Sequence, residues 1–115
     1  MGSVYNPLTA PSYIAGTITL APGVVTDLLT VIIAQLEPNC PGAALMVNIQ
    51  SGTDAVYIGR WNQLKGALSA SNYGYKLDAD GNSYRSSAGA GNSASVADIH
   101  LLCAGEAVLH VEIYS

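Results

Sequence analysis

Short runs of alternating residues, separated by turn residues at regular spacing, most strongly constrain what this chain can fold into. All five prolines lie within the first 41 residues, and beyond them Gly, Ser, Asn and Asp divide the chain. A half-buried antiparallel strand needs only a few alternating apolar positions, and it ends at residues of these types. About seven such strands predict an all-β protein, an antiparallel β-sandwich, with a jelly-roll-like form or a small barrel as alternatives.

The expected strands comprise a first strand and three later pairs. The first strand covers residues 14–20 and is stopped by Pro22 and Gly23. Residues 44–50 and 55–59 form a predicted hairpin, and residues 73–77 and 83–86 flank an Asp-Gly turn signal. Residues 96–103 and 107–114 are the last predicted hairpin, in which Gly105 suits the first central position of a type II′ turn.

One segment has the period of a helix. Its apolar stripe follows the i, i+3, i+4 rule and consists of Val25, Leu28, Leu29, Ile32, Ile33 and Leu36. Thr26 or Asp27 can cap its start, and Pro38 follows its end. We therefore expect one short helix or helical turn near residues 26–36. The β-branched run 30–33 leaves a fully buried strand open as the alternative.

The chain is predicted to consist of two regions. Residues 1–12 contain Pro7 and Pro11 and predict an extended N-terminal arm rather than a core element. Residues 13–115 form the predicted β-sandwich domain.

Charge is scarce and unevenly placed. The 115 residues include four basic and eight acidic side chains, a net charge of −4 and a charged share of 10%, against roughly 25% in typical soluble domains. This composition gives no basic surface for nucleic acid, and apolar residues 28–36 fall far short of the ~20 residues of a membrane-spanning helix. We expect neither kind of partner. Because residues 1–53 carry only Asp27 and Glu37, the N-terminal half is expected to hold a face that a protein partner covers.

The sequence offers no constellation for catalysis or for a bound cofactor. Residues 78–82 begin like a calcium loop, but Gly81 comes too early and Gly89 stands where the bidentate Glu belongs. No nucleophile accompanies the two histidines. We therefore expect a non-enzymatic protein with no catalytic residues, metal or cofactor. Cys40 and Cys103 lie far apart in the sequence and are expected to be two free thiols.

An aromatic set near the middle of the chain is the best candidate for recognition. Trp61 follows Arg60 in a predicted loop, and Tyr73 and Tyr75 alternate in the next strand. Trp, Tyr and Arg anchor many protein interfaces, and aromatic rings also stack on sugars. The alternative is that Trp61 and one tyrosine only cap the core.

The layout of several segments resembles small structural proteins of tailed bacteriophages. The segments are Asp54-Ala55-Val56-Tyr57-Ile58-Gly59, Tyr73-Gly74-Tyr75-Lys76-Leu77, Asp80-Gly81-Asn82-Ser83, Ile99-His100-Leu101-Leu102-Cys103-Ala104-Gly105 and Val108-Leu109-His110-Val111-Glu112. The resemblance implies a virion component of the capsid decoration (cement) type, made in the host cytoplasm. Such proteins commonly form trimers on the capsid surface and reinforce contacts between major capsid protein subunits.

The expected contact residues of such a protein come from the arm and from the central aromatic region. They are Tyr5, Pro7, Pro11, Tyr13, Arg60, Trp61, Tyr73 and Tyr75. Alternative functions are a carbohydrate-binding or receptor-binding module at a fibre tip, or a neck or tail component.

Overall fold

The computed structural model describes residues 12–60, 65–79, 81–87 and 94–114. The elements in this part of the chain are β1 (Tyr13–Leu20), β2 (Thr26–Asp27), α1 (Leu28–Gln35), β3 (Ala43–Ala44), β4 (Met46–Ser51), β5 (Val56–Arg60), β6 (Tyr75–Leu77), β7 (Ser83–Ser87), β8 (Ala94–Ser95), β9 (Ile99–Cys103) and β10 (Ala107–Tyr114). The predicted arm, up to residue 11, lies outside the described residues.

Two four-stranded antiparallel sheets face each other, which confirms the predicted β-sandwich. The first sheet has the order β1-β10-β4-β7 and the second sheet has the order β2-β9-β5-β6, while β3 and β8 form a separate pair. Along the chain, successive strands of these two sheets alternate between them, except that β5 pairs with its neighbour β6. This order of strands makes the sandwich a jelly roll.

Both predicted hairpins are wrong, although their strands exist. β4 belongs to the first sheet and β5 to the second, and the same holds for β10 and β9. Gly105 is not among the described glycines with positive φ, so it cannot form the predicted type II′ turn. A tight hairpin and a link that arches between facing sheets both join half-buried strands through turn residues. Local patterns therefore cannot distinguish them.

The predicted helix is present but shorter than its apolar stripe. Residues 26–27 pair with β9, so α1 starts at Leu28, and the Asp27 carboxylate caps it by accepting from the Thr30 backbone N–H at 2.7 Å. Leu28 and Ile32 are fully buried, whereas Ile33 is 42% exposed. The alternative of a buried strand is thereby excluded.

The core lies between the sheets and is aliphatic, because the chain contains no Phe. Fully buried members include Ile18, Val47, Ile49, Leu109 and Ile113 of the first sheet and Val56, Ile58, Leu77, Ile99 and Leu101 of the second. Each comes from alternate positions of its strand, so the opposite positions face outward.

The two open sides of the sandwich are closed differently. On one side α1 packs against β1, β2 and β9. The Gln35 amide accepts from the Thr19 N–H at 2.8 Å and donates to the Thr19 carbonyl at 3.0 Å, on the outer edge of β1. Leu36 covers Gly16, where an added Cβ would lie 2.6 Å from Leu36 Cδ2. On the other side, between β6 and β7, a polar and aromatic network fills the gap.

Candidate interaction surfaces

Arg60 is the centre of the polar network between the sheets. It ends β5, and its guanidinium donates to Asp98 at 3.3 Å, to the Tyr84 hydroxyl at 3.4 Å and to Ser86 Oγ at 3.0 Å. Tyr84 and Ser86 lie on β7, so Arg60 links the second sheet to the first. The bonds to Tyr84 and Asp98 raise the pKa of Arg60, with Tyr84 the larger cause. The structure therefore assigns this predicted contact residue an internal bridging position.

Tyr75 also lies on the inner side of the sandwich. Its ring packs against the core and lies 5.5 Å from the Tyr84 ring, centroid to centroid. Its hydroxyl donates to the Ser83 carbonyl at 3.0 Å and accepts from Asn82 Nδ2 at 3.0 Å. These contacts fill the space between β6 and β7 at the end of the core. Tyr75 therefore has the position expected under the alternative in which one tyrosine of the aromatic set caps the core.

Tyr73 lies on the outer face of the second sheet, in an apolar stripe that also includes Tyr57 and Leu102. It is 41% exposed, and its ring centroid lies 5.0 Å from that of Tyr57. Tyr57 is the cross-strand partner of both Leu102 and Lys76, and the Lys76 ammonium lies 6.0 Å from the Tyr57 ring centroid. Tyr73 and Tyr75 thus contact different groups and do not form one joint surface.

Tyr13 lies at the end of the first sheet in a small hydrogen-bonded cluster. Its hydroxyl donates to Glu112 Oε2 at 2.8 Å, and its ring packs on Tyr114 with centroids 4.9 Å apart. Asn48 Nδ2 donates to Glu112 Oε1 at 3.2 Å. The bond to Glu112 raises the pKa of Tyr13 to about 12, and the same bond, followed by that from Asn48, lowers the pKa of Glu112.

The outer face of the first sheet is broad and carries little charge. Its described outward positions are Tyr13, Ala15, Thr17, Thr19, Met46, Asn48, Gln50, Ser83, Arg85, Val108, His110, Glu112 and Tyr114. Only Glu112 and Arg85 among these positions bear a formal charge. Small and uncharged polar side chains therefore dominate this face.

A shallow cleft of about 280 Å³ lies on the same face. It is lined by Thr17, Gln50, Ser51, Gly52, Val108 and His110. The side chains of Thr17, His110 and Gln50 follow one another in register across three strands. Among these six residues, His110 supplies the one imidazole.

The remaining reactive groups are buried or scattered. Cys40 and Cys103 are both buried free thiols, and burial raises the pKa of Cys40 to about 11, with Glu37 as a smaller cause. No group of three or more potential metal ligands occurs among the described residues. In the same part of the chain, no helix has the length and apolar character needed to span a membrane.

Four predicted contact residues fall outside the part that the structure describes: Tyr5, Pro7, Pro11 and Trp61. Sequence reasoning missed Tyr57 and Leu102 on the second sheet and the bond between Tyr13 and Glu112. The alternation of Val56, Tyr57 and Ile58 indicates that the tyrosine points away from the core, but its neighbours come from distant strands. Comparisons with protein-family models, with curated proteins and with solved structures found no match.

Proposed function

We propose that this chain is a non-enzymatic structural protein of a virion, a capsid decoration protein that docks on the major capsid protein shell and stabilises it. The observation that carries the proposal is the outer face of the first sheet, where only two of the thirteen described outward positions bear a formal charge. Charged groups are costly to remove from water, so a face of this composition suits a large permanent contact. The jelly roll itself hosts many functions and does not decide between them.

The proposed protein acts as an oligomer, with a trimer as the favoured state. Small side chains lose little rotamer entropy on docking, which suits contacts repeated over a shell. Light scattering on a size-exclusion column should give three times the 11.8 kDa mass of one chain. A single-chain mass over a wide concentration range would contradict the oligomer.

Docking is tested by sedimentation with shells of the major capsid protein encoded in the same genome. We expect the full-length protein to sediment with the shells and to raise their thermal stability. Thr17→Lys places a charge on the outer face of the first sheet and should weaken retention at least tenfold. Ala79→Lys, in the exposed turn after β6, is the matched control and should bind normally. Equal retention of both variants would refute docking through this face.

A carbohydrate-binding module is the second candidate, because Tyr57 and Tyr73 form a partly exposed aromatic pair. Exposed rings of this kind can stack on a sugar, with Lys76 as a neighbouring donor. Titration of the protein with a glycan panel, followed by intrinsic fluorescence, tests this function. A saccharide-dependent signal that Tyr73→Ala removes would favour it over the structural role.

A further inference from the structure

The first sheet has two edges, and the structure treats them differently. At β1, helix α1 covers the edge, and Gln35 bonds to both backbone groups of Thr19. At β7, no strand of the described residues pairs on the outer side. With five residues, β7 is the longer of the two strands at this side, since β6 has three. A strand without a paired neighbour on one side is a template for another strand.

The backbone groups that face outward from β7 follow from the hydrogen-bond pattern. Gly52 N–H donates to the Val108 carbonyl at 3.0 Å, so even-numbered residues of β4 bond to β10 and odd-numbered residues bond to β7. Val47 and Ile49 are paired with Ser86 and Tyr84. Residues 83, 85 and 87 therefore direct their backbone groups outward.

One of these outward groups already has a partner. The Ser83 carbonyl accepts from the Tyr75 hydroxyl at 3.0 Å, as its outward direction requires. The backbone groups of Arg85 and Ser87, together with the Ser83 N–H, therefore present donors and acceptors on the outer side of β7.

The N-terminal arm has the chemistry of a strand that can pair on one edge only. Successive residues of a strand direct their N–H groups to opposite edges, and proline has no N–H. Pro7 and Pro11 are four residues apart, so both remove donors from the odd-numbered edge. The even-numbered edge, with Asn6, Leu8 and Ala10, keeps every donor. A strand with one impaired edge can join a sheet but cannot extend it indefinitely.

Strand direction favours the arm of a second copy over the chain's own arm. β1 starts at Tyr13, which shares a row of the first sheet with Ser87, the last residue of β7. The arm of the same chain could reach the outer side of β7, because eleven residues span up to about 36 Å and four strand spacings about 19 Å. It would arrive parallel to β7, however, whereas every strand pairing between described residues of the two sheets is antiparallel. A second copy can supply the arm in the antiparallel direction, which is the more stable one.

We propose that residues 1–11 of one copy add as an antiparallel strand to the β7 edge of a second copy, through the even-numbered edge of the arm. This inference rests on the proposed function and specifies how its oligomer forms. Because the arm and its acceptor edge are different surfaces, the contact is head-to-tail, and such contacts form rings when the rotation closes. A trimer closes in this way when each copy donates one arm and accepts another.

Full-length proline variants test the pairing edge of the arm. Leu8→Pro removes a donor from the even-numbered edge, and Thr9→Pro is the matched control on the edge that two prolines already impair. Leu8→Ala keeps the N–H and accounts for the lost side chain. We expect Leu8→Pro to raise the oligomer dissociation constant about tenfold or more, as loss of one or more backbone hydrogen bonds implies. Thr9→Pro and Leu8→Ala should keep the wild-type dissociation constant, measured from the mass at a series of concentrations. Equal dissociation constants for the two proline variants would overturn the proposal.

Cross-linking tests the acceptor edge and the identity of the donor. Full-length chains carrying Leu8→Cys are mixed with chains carrying Arg85→Cys and treated with a short bismaleimide. We expect covalent dimers from the mixture, with few from either variant alone. Cross-links confined to single chains of the doubly substituted protein would overturn donation by a second copy, as would a monomeric wild type. A monomer that still sediments with shells would leave the proposed function standing, whereas arm exchange without shell binding would remove it.

Discussion

Replacement of Arg60 by alanine tests whether this side chain bridges the two sheets or only contacts a partner at the surface. The guanidinium joins the two sheets through three hydrogen bonds, to Asp98, Tyr84 and Ser86. The ion pair with Asp98 is largely shielded, since the Arg60 side chain is 26% exposed and the Asp98 side chain 12%. Removing the guanidinium therefore takes one hydrogen-bond partner away from each of these three side chains at the end of the core.

The expected cost lies between those of surface and buried ion pairs. Exposed pairs contribute about 0–1 kcal/mol, whereas removal of one partner from a buried pair costs about 3–5 kcal/mol. Two of the three bonds, those to Asp98 and Tyr84, are long at 3.3 and 3.4 Å, which places them towards the weak end. We expect Arg60→Ala to lower the free energy of unfolding by about 2–3 kcal/mol.

Urea unfolding, followed by circular dichroism, measures this change. A loss of that size should lower the urea midpoint by roughly 1–2 M. Arg85→Ala is the matched control, because Arg85 is an exposed arginine on β7, and its effect should stay within about 0.5 kcal/mol. Arg60→Lys keeps the charge without the planar fork and should recover only part of the loss. Equal midpoints for Arg60→Ala and Arg85→Ala would refute the bridging position.

Three further predictions concern the edge, the tyrosine cluster and the thiols. Gln35→Ala removes both bonds to Thr19, so the free energy of unfolding should fall by about 1–2 kcal/mol. The Thr19 amide hydrogen should also exchange faster with solvent, and an unchanged exchange rate would contradict protection of the β1 edge by Gln35. Ultraviolet titration should show one tyrosine, absent in Tyr13→Phe, with a pKa of about 12 instead of 10.0. Because the native pKa of Glu112 is lowered, its stabilisation is complete above the ordinary carboxyl pKa and is lost as the pH falls through the native value. Tyr13→Phe should therefore reduce the loss of stability on acidification, as pH-dependent urea unfolding can measure. Cys40, with a pKa of about 11, should react with a thiol reagent far more slowly in the native protein than in urea, and equal rates would contradict its burial.

The helix shows how far local patterns reach and where they stop. Its period, the Asp27 cap and the following Pro38 are local features, and α1 forms where they predict it. The helix begins at Leu28, later than the apolar stripe, which begins at Val25, because Thr26 and Asp27 pair with β9. The partner strand lies more than seventy residues away, so no local pattern could show this competition.

The candidate contact residues divide in the same way. Residue type alone indicated that Arg60, Tyr73 and Tyr75 are suited to anchoring contacts. Their surroundings assign Arg60 and Tyr75 to the gap between the sheets, and Tyr73 to the outer stripe with Tyr57. Alternation along a strand shows which side a residue faces, but the neighbours it meets there come from strands distant in sequence.

The sequence by itself determined the all-β class, most strand positions, two candidates for the helix cap and the scarcity of charge, because each depends on local alternation, on turn residues or on composition. Only the tertiary structure decided which strands pair. β4 and β5, like β9 and β10, are neighbours along the chain but lie in opposite sheets. A strand with one apolar face buries that face equally well in a hairpin or across the sandwich, and the choice depends on the packing of both sheets together. The same choice places β7 at the margin of the first sheet, where no strand of the described residues pairs with its outer side.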